Sequence, residues 1–155
     1  MTPTEPSDPP KPPARPSTST TLWTTPANAD VLLYEYLWRA EHARGLEDGK
    51  KVRPCLVVAT YESRGALRVI TAPFTTRDYA PETTVEVPAA VSRHLRLDGR
   101  SRIVWTDLNE FSWVSSDVRP GTDGTPHLGK VPERLWRSVL DKIVAASVRP
   151  VHRTA

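Results

Sequence analysis

The sequence predicts a mostly β domain with a C-terminal helix, built as a small, strongly bent antiparallel sheet or barrel. Three observations carry this. Short segments rich in Val, Ile, Leu, Tyr and Trp recur from Val31 onward, separated by Gly, Pro and Asp turn signals. The link between the two longest of them is too short for a crossover helix, so they pair as an antiparallel hairpin. The last long segment has a helical period instead of a strand period. The 155 residues suffice for one domain with a real core.

The elements follow in chain order. Seven of the 16 prolines fall within the first 16 residues, and Met1 is the only large apolar residue before Leu22. Such a segment cannot bury enough surface to offset its ordering entropy, so residues 1–27 are expected to be a disordered, partly polyproline tail. The folded domain is expected over 28–147, with a short C-terminal tail over 148–155. Val31 to Trp38 suits a strand. Arg39 to Lys51 is dense in charge, with two glycines, and reads as a short helix and turn or as a loop. Val52 to Thr60 reads as a buried strand, Tyr61 to Gly65 as a turn, and Ala66 to Phe74 as the returning strand. Thr75 to Pro81 is a polar loop and Thr83 to Val87 a short strand. Pro88 opens a short helix, because proline is tolerated at a first helical position. After a turn at Asp98-Gly99, Arg102 to Asp107 and Phe111 to Val118 read as strands, and Pro120 to Gly129 as a loop. From Pro132 the chain turns helical: Leu135, Trp136, Val139, Leu140, Ile143 and Val144 share one face.

The totals narrow the function classes. The N-terminal segment lacks the apolar core of a signal peptide, and no run approaches the roughly 18 apolar residues of a membrane span. A cytoplasmic protein is expected. The single cysteine, Cys55, excludes an internal disulfide and fits a reducing compartment. The net charge of +3 belongs to the folded part, since Glu5, Asp8, Lys11 and Arg15 cancel in the tail. It is compatible with a nucleic-acid partner without demanding one. His42, His94, His127 and His152 are too dispersed for a zinc-like spacing with Cys55, and no metal or other cofactor is expected. Cys55 lies inside an apolar strand, where a thiol is a packing residue. No Gly-rich phosphate loop or nucleophile elbow is present.

Arg53 stands apart. It precedes Pro54, which holds it extended and fixes its direction. A fixed guanidinium offers planar paired donors to a phosphate and stays charged at any working pH. Thr75 and Thr76 end the returning strand and would bring two hydroxyls beside it. The plainer alternatives are a charged flank for Arg53, a strand-ending turn for the threonines, and an Asx turn for Asp107 and Asn109.

The order of KVRPCLVV (Lys51 to Val58), APFTT (Ala72 to Thr76), VEVP (Val85 to Pro88), a strand ending at Asp107 and a terminal helix resembles the MazF/PemK family of toxins from bacterial toxin–antitoxin systems. The similarity spans roughly Asp30 to Ala146. It implies an SH3-like small β-barrel, usually a homodimer, and a metal-independent endoribonuclease that cuts single-stranded RNA. In that chemistry the ribose 2′-hydroxyl attacks the adjacent phosphate. This needs a proton acceptor, a donor to the leaving oxygen, and positive charge on the phosphate. Carried over by position, the resemblance implies Arg53 as phosphate stabiliser and Thr75 and Thr76 as the hydroxyls that orient the phosphate. It implies Asp107 as base or RNA contact, and His42, matched by region only, as an assisting residue. Lys50, Lys51, Arg77 and Asn109 are the expected RNA-binding residues. A growth-inhibiting toxin of this kind also implies a cognate acidic antitoxin as partner.

The chain departs from the family pattern in places. It begins its first strand Ala29-Asp30-Val31-Leu32, carries no arginine at the usual place after Asp107, and puts Glu41, Glu47 and Asp48 in its first loop. Two alternatives therefore stay open: a non-catalytic RNA- or protein-binding module on the same barrel, and a gyrase-directed toxin.

Overall fold

The structure is a computed structural model and describes residues 23–36, 51–77, 81–114, 118–121 and 124–153. It is mostly β with a C-terminal helix. The strands are β1 (Asp30–Tyr36), β2 (Lys51–Ser63), β3 (Ala66–Thr75), β4 (Thr84–Glu86), β5 (Arg102–Val104), β6 (Asn109–Trp113), β7 (His127–Lys130) and β8 (Val151–His152). The helices are α1 (Ala89–His94) and α2 (Glu133–Ala146).

The sheet runs β4-β5-β3-β2-β1-β7, with β6 added beside β3 and β8 beside β6. All pairings are antiparallel except β6–β8. Its spine is the β2–β3 hairpin. The turn closes on Arg64 and Gly65, whose φ values of 53° and 79° are both left-handed. A two-residue turn of that hand matches the right-handed twist of the flanking strands. A bulge between Val57 and Ala59 bends the hairpin. The early part of β3 pairs with β6, and its end, Phe74 and Thr75, pairs with β5. One edge of β3 thus serves two partners, which gives the sheet its bend. Among the described residues β4 and β7, at the two ends of the sheet path, do not pair with each other, so the sheet is not closed into a barrel.

Two apolar clusters fill the two faces. One joins Leu56, Val58, Phe74 and Ile103 to Val91 and Leu95 of α1 and to Leu135, Val139 and Ile143 of α2. The other joins Leu32, Tyr34, Cys55, Val57, Val69 and Phe111. The alternation along β2, with Cys55 and Val57 on one face and Leu56 and Val58 on the other, is the strand period at work. The Trp136 indole donates to the Val58 carbonyl at 3.0 Å and ties α2 to the sheet. At the helix end Ser147 takes a left-handed conformation, and its N–H reaches the carbonyls of Ile143 and Val144.

Some boundaries differ from expectation. β5 ends at Val104 and β6 begins at Asn109, so Asp107 lies in the connection between them. β7 sits where a loop was expected. Gly129 there has φ +142°, and a Cβ on it would come 2.8 Å from Leu95. Glycine lets β7 pass close against the end of α1. Residues 148–155, expected as a tail, supply β8: Val151 is buried and pairs with Asn109. Near the other terminus Trp23 packs on Trp113 and donates to the Gly124 carbonyl. No described helix is long and apolar enough to cross a membrane.

Candidate functional site

Arg53 and Thr75 meet through strand register. Cys55 pairs with Pro73 across β2 and β3. Continuing that register by two residues sets Arg53 opposite Thr75 on the same face of the sheet. Thr75 in turn pairs with Arg102 on β5, and Arg102 with Glu86 on β4. Four neighbouring strands therefore bring Arg53, Thr75, Arg102 and Glu86 into one row at one end of the sheet.

A cavity of ≈ 160 Å³ opens on this end, lined by Arg53, Pro54, Thr75, Thr76, Asp98 and Ser101 over an apolar floor that includes Phe74 and Leu97. A second cavity of ≈ 530 Å³ adjoins it, lined by Arg77, Glu86, Gly99, Arg100 and Arg102 and sharing Thr76 and Ser101 with the first. Together they make one groove. Arginines outnumber carboxylates along it: Arg53, Arg77, Arg100 and Arg102 against Glu86 and Asp98.

The two threonines have different surroundings. The Thr75 hydroxyl is buried and accepts from the Arg77 backbone N–H at 3.2 Å, which shapes the turn after β3. Thr76 is exposed and lines both cavities. The opposite wall comes from the loop after α1. There Asp98 accepts from the Arg100 N–H at 2.8 Å, and Ser101 donates its hydroxyl to the Asp98 carbonyl at 2.7 Å. Arg100 also pairs with the Asp98 carboxylate at 3.3 Å. These bonds hold the Asp98 carboxyl below the usual carboxylate range, with the side-chain bond from Arg100 as the main cause.

No family model matches the chain, and no curated protein matches it.

Of the residues singled out from sequence, Arg53, Thr75, Thr76 and Arg77 come together in the groove. Asn109 does not. It was expected to touch RNA, yet it is fully buried in β6, where its side-chain oxygen accepts from Arg153 at 3.2 Å and its carbonyl from Thr71 at 3.3 Å. A side chain closed in by β3 and β8 has no surface to offer a nucleic acid. Asp107 is half-buried and lines neither cavity. His42 and Lys50 lie outside the described residues, as does the side chain of Lys51. Cys55 is fully buried, donates to the Arg53 carbonyl at 3.5 Å, and burial pushes its thiol pKa far up. It packs and does not react. No metal-binding group of three or more His, Cys, Asp or Glu occurs among the described residues.

Arg100 and Arg102 were missed. Arg102 opens the RIV strand, which reads as a buried core strand, and only its pairing with Thr75 brings its side chain to the groove. Arg100 follows the Asp98-Gly99 turn. The one sequence signal was the pair of arginines flanking Ser101, two apart and so on one side of an extended chain.

Proposed function

We propose that this groove is the phosphate site of an endoribonuclease toxin that cuts single-stranded RNA without a metal: the ribose 2′-hydroxyl attacks the adjacent phosphate, the bond to the next nucleotide's 5′-oxygen breaks, and a cyclic phosphate and a free 5′-hydroxyl are left. The observation that carries the reading is the meeting of Arg53 and Thr76, more than twenty residues apart in sequence, in one cleft with further arginines beside it. Arg53 stabilises charge on the crowded phosphate, and Thr76 orients a phosphate oxygen. The nucleophile belongs to the substrate, so the protein needs no covalent residue, and the inert Cys55 is consistent with that. The proton acceptor is expected from the segment between β1 and β2, where His42 matches the family by region. The bent sheet with a helix packed on it is read as an open version of the SH3-like barrel. A homodimer, and an acidic antitoxin laid along the arginine-rich groove, complete the proposal.

The purified protein should fragment total RNA in the presence of EDTA, and mapping the new 5′ ends gives the cut sites. Thr76→Ala and Arg53→Ala should each slow cleavage by about 10²- to 10³-fold, the usual effect of losing one phosphate-stabilising donor. Unchanged cleavage in both variants would show that the chemistry lies elsewhere.

One observation favours a second reading, a module that binds RNA without cutting it. Asp98, the one described carboxylate that lines the Arg53 cavity, is committed to Arg100 and holds its proton weakly. No described histidine lines either cavity. RNA that stays intact through long incubation yet is retained by the protein would decide for this reading.

A further inference from the structure

The second cavity is built around an anchored arginine. Arg102 is half-buried, and its Nε donates to the Thr84 hydroxyl at 2.7 Å, across β4 and β5. That bond fixes the plane of the guanidinium, while its two terminal nitrogens make no hydrogen bond or ion pair among the described residues. A guanidinium anchored through Nε with its outer fork open is pre-organised for an oxyanion, because little rotamer freedom is lost on binding. Arg77 approaches from the turn after β3, its backbone tied to Thr75 and its side chain exposed. Arg100 reaches the same cavity from the opposite wall, held by Asp98. At Gly99 an added Cβ would meet nothing within 4 Å, so the mouth is open there. Glu86, opposite Arg102, is the one carboxylate lining this cavity, so cationic side chains outnumber it.

Thr76 and Ser101 belong to both cavities. A phosphate held by Arg53 and Thr76 therefore has the Arg102 cavity directly beside it. We propose that the Arg77–Arg102 cavity binds the neighbouring phosphate of the same strand, so that the groove takes two consecutive phosphodiesters and selects oligonucleotides over ligands with one charged linkage. This inference rests on the Arg53 cleft being a phosphodiester site.

The test uses the full chain and fluorescently labelled 2′-O-methyl trinucleotides, which lack the attacking hydroxyl and cannot be cut. One trinucleotide carries two phosphodiesters. Two others replace either linkage with a neutral methylphosphonate of similar shape. With the unaltered protein, neutralising the linkage seated in the second cavity should weaken binding about tenfold, the worth of one hydrogen-bonded charge contact. It should also flatten the dependence of log Kd on log salt by about 0.7, one phosphate's share for a single strand. In Arg102→Gln the same replacement should weaken binding less than about twofold. If neither methylphosphonate weakens binding to the unaltered protein, or if Arg102→Gln keeps the full penalty, the inference fails. Arg77→Gln, at an exposed side chain, gives a second reading should loss of the Thr84 bond disturb the fold; it should shrink the penalty too, and a full penalty there as well overturns the idea. Because these ligands are uncleavable, the outcome is separate from the enzymatic reading. A charge penalty in a protein that never cuts RNA sinks the nuclease and keeps the second phosphate site, and cutting without a penalty does the reverse.

Discussion

Asn109 and Thr76 show how a polar side chain can be read two ways until its surroundings are known: Asn109 is buried and Thr76 is exposed. Asn109 is closed in between β3 and β8 and supplies the acceptor for Arg153, itself buried against the Tyr34 ring at 5.4 Å. Removing that acceptor withdraws a hydrogen bond from a buried charge. Asn109→Ala should therefore destabilise the fold by about 1–3 kcal/mol, measured by urea unfolding, while leaving RNA affinity per folded molecule unchanged. A loss of affinity at constant stability would return Asn109 to the binding surface. Tyr61 gives a pH-dependent case. Its hydroxyl donates to Glu110 at 2.6 Å, and that bond to a carboxylate holds the phenol proton above the ordinary tyrosine range. The folded state therefore binds this proton more tightly than the unfolded chain does. The stabilisation is intact below about pH 10, the unfolded tyrosine value, and is lost as pH rises through the folded value. Melts from about pH 9 upward should show this loss setting in above about pH 10, and Tyr61→Phe should remove it.

At the scale of elements, the hairpin was legible and the short edge strands were not. β2 and β3 are long, apolar and joined through Arg64-Gly65, so the local pattern sets their register, and that register alone brings Arg53 to Thr75. β7 and β8 are four and two residues long. Their pairing partners are distant in sequence, and no window of a few residues carries that information. The same is true of Arg102, whose role depends on β3 leaving β6 to pair with β5 at Thr75. Asp107 was placed at a strand end because RIVWTD looks continuous, but the chain turns at Trp105 and Thr106 to hand pairing from β5 to β6. β8 makes a testable claim. Val151 is buried, its N–H donates to the Leu108 carbonyl at 2.8 Å, and the Arg153 N–H donates to the Glu110 carbonyl at 2.8 Å. Ending the chain at Ser147 exposes β6 along that edge. The truncated protein should lose at least about 2 kcal/mol, roughly one buried apolar side chain plus a hydrogen bond, seen as a lower Tm. An unchanged Tm would mean that β8 adds nothing to the fold.

Over the whole molecule, two polar centres sit at opposite ends of one hairpin. The groove gathers around Arg53, near the start of β2. At the other end Glu110, almost fully buried, accepts from Arg68 at 2.8 Å and from Tyr61, with His152 at 3.6 Å. Arg68 also donates to Ser112 at 2.6 Å. Along β2, Arg53 and Tyr61 are separated by roughly 26 Å at about 3.3 Å per residue. Removing Arg68 leaves a carboxylate buried beside one phenol and one imidazole, and breaking such a pair from one side is expensive. Arg68→Met should destabilise the protein by about 3 kcal/mol. Yet nothing in that cluster lines either cavity, so the groove should keep its affinity once the protein is folded. Effects at sites so far apart add to within about 0.5 kcal/mol. The double variant Arg68→Met/Thr76→Ala should therefore show the stability loss of the first and the activity loss of the second, with no interaction between them. A coupling well above that limit, measured by a double-mutant cycle in unfolding and RNA cleavage, would mean that the hairpin transmits strain between its ends. In that case the bend at Val57/Ala59, which lies between the two centres, would be the place to look for the link.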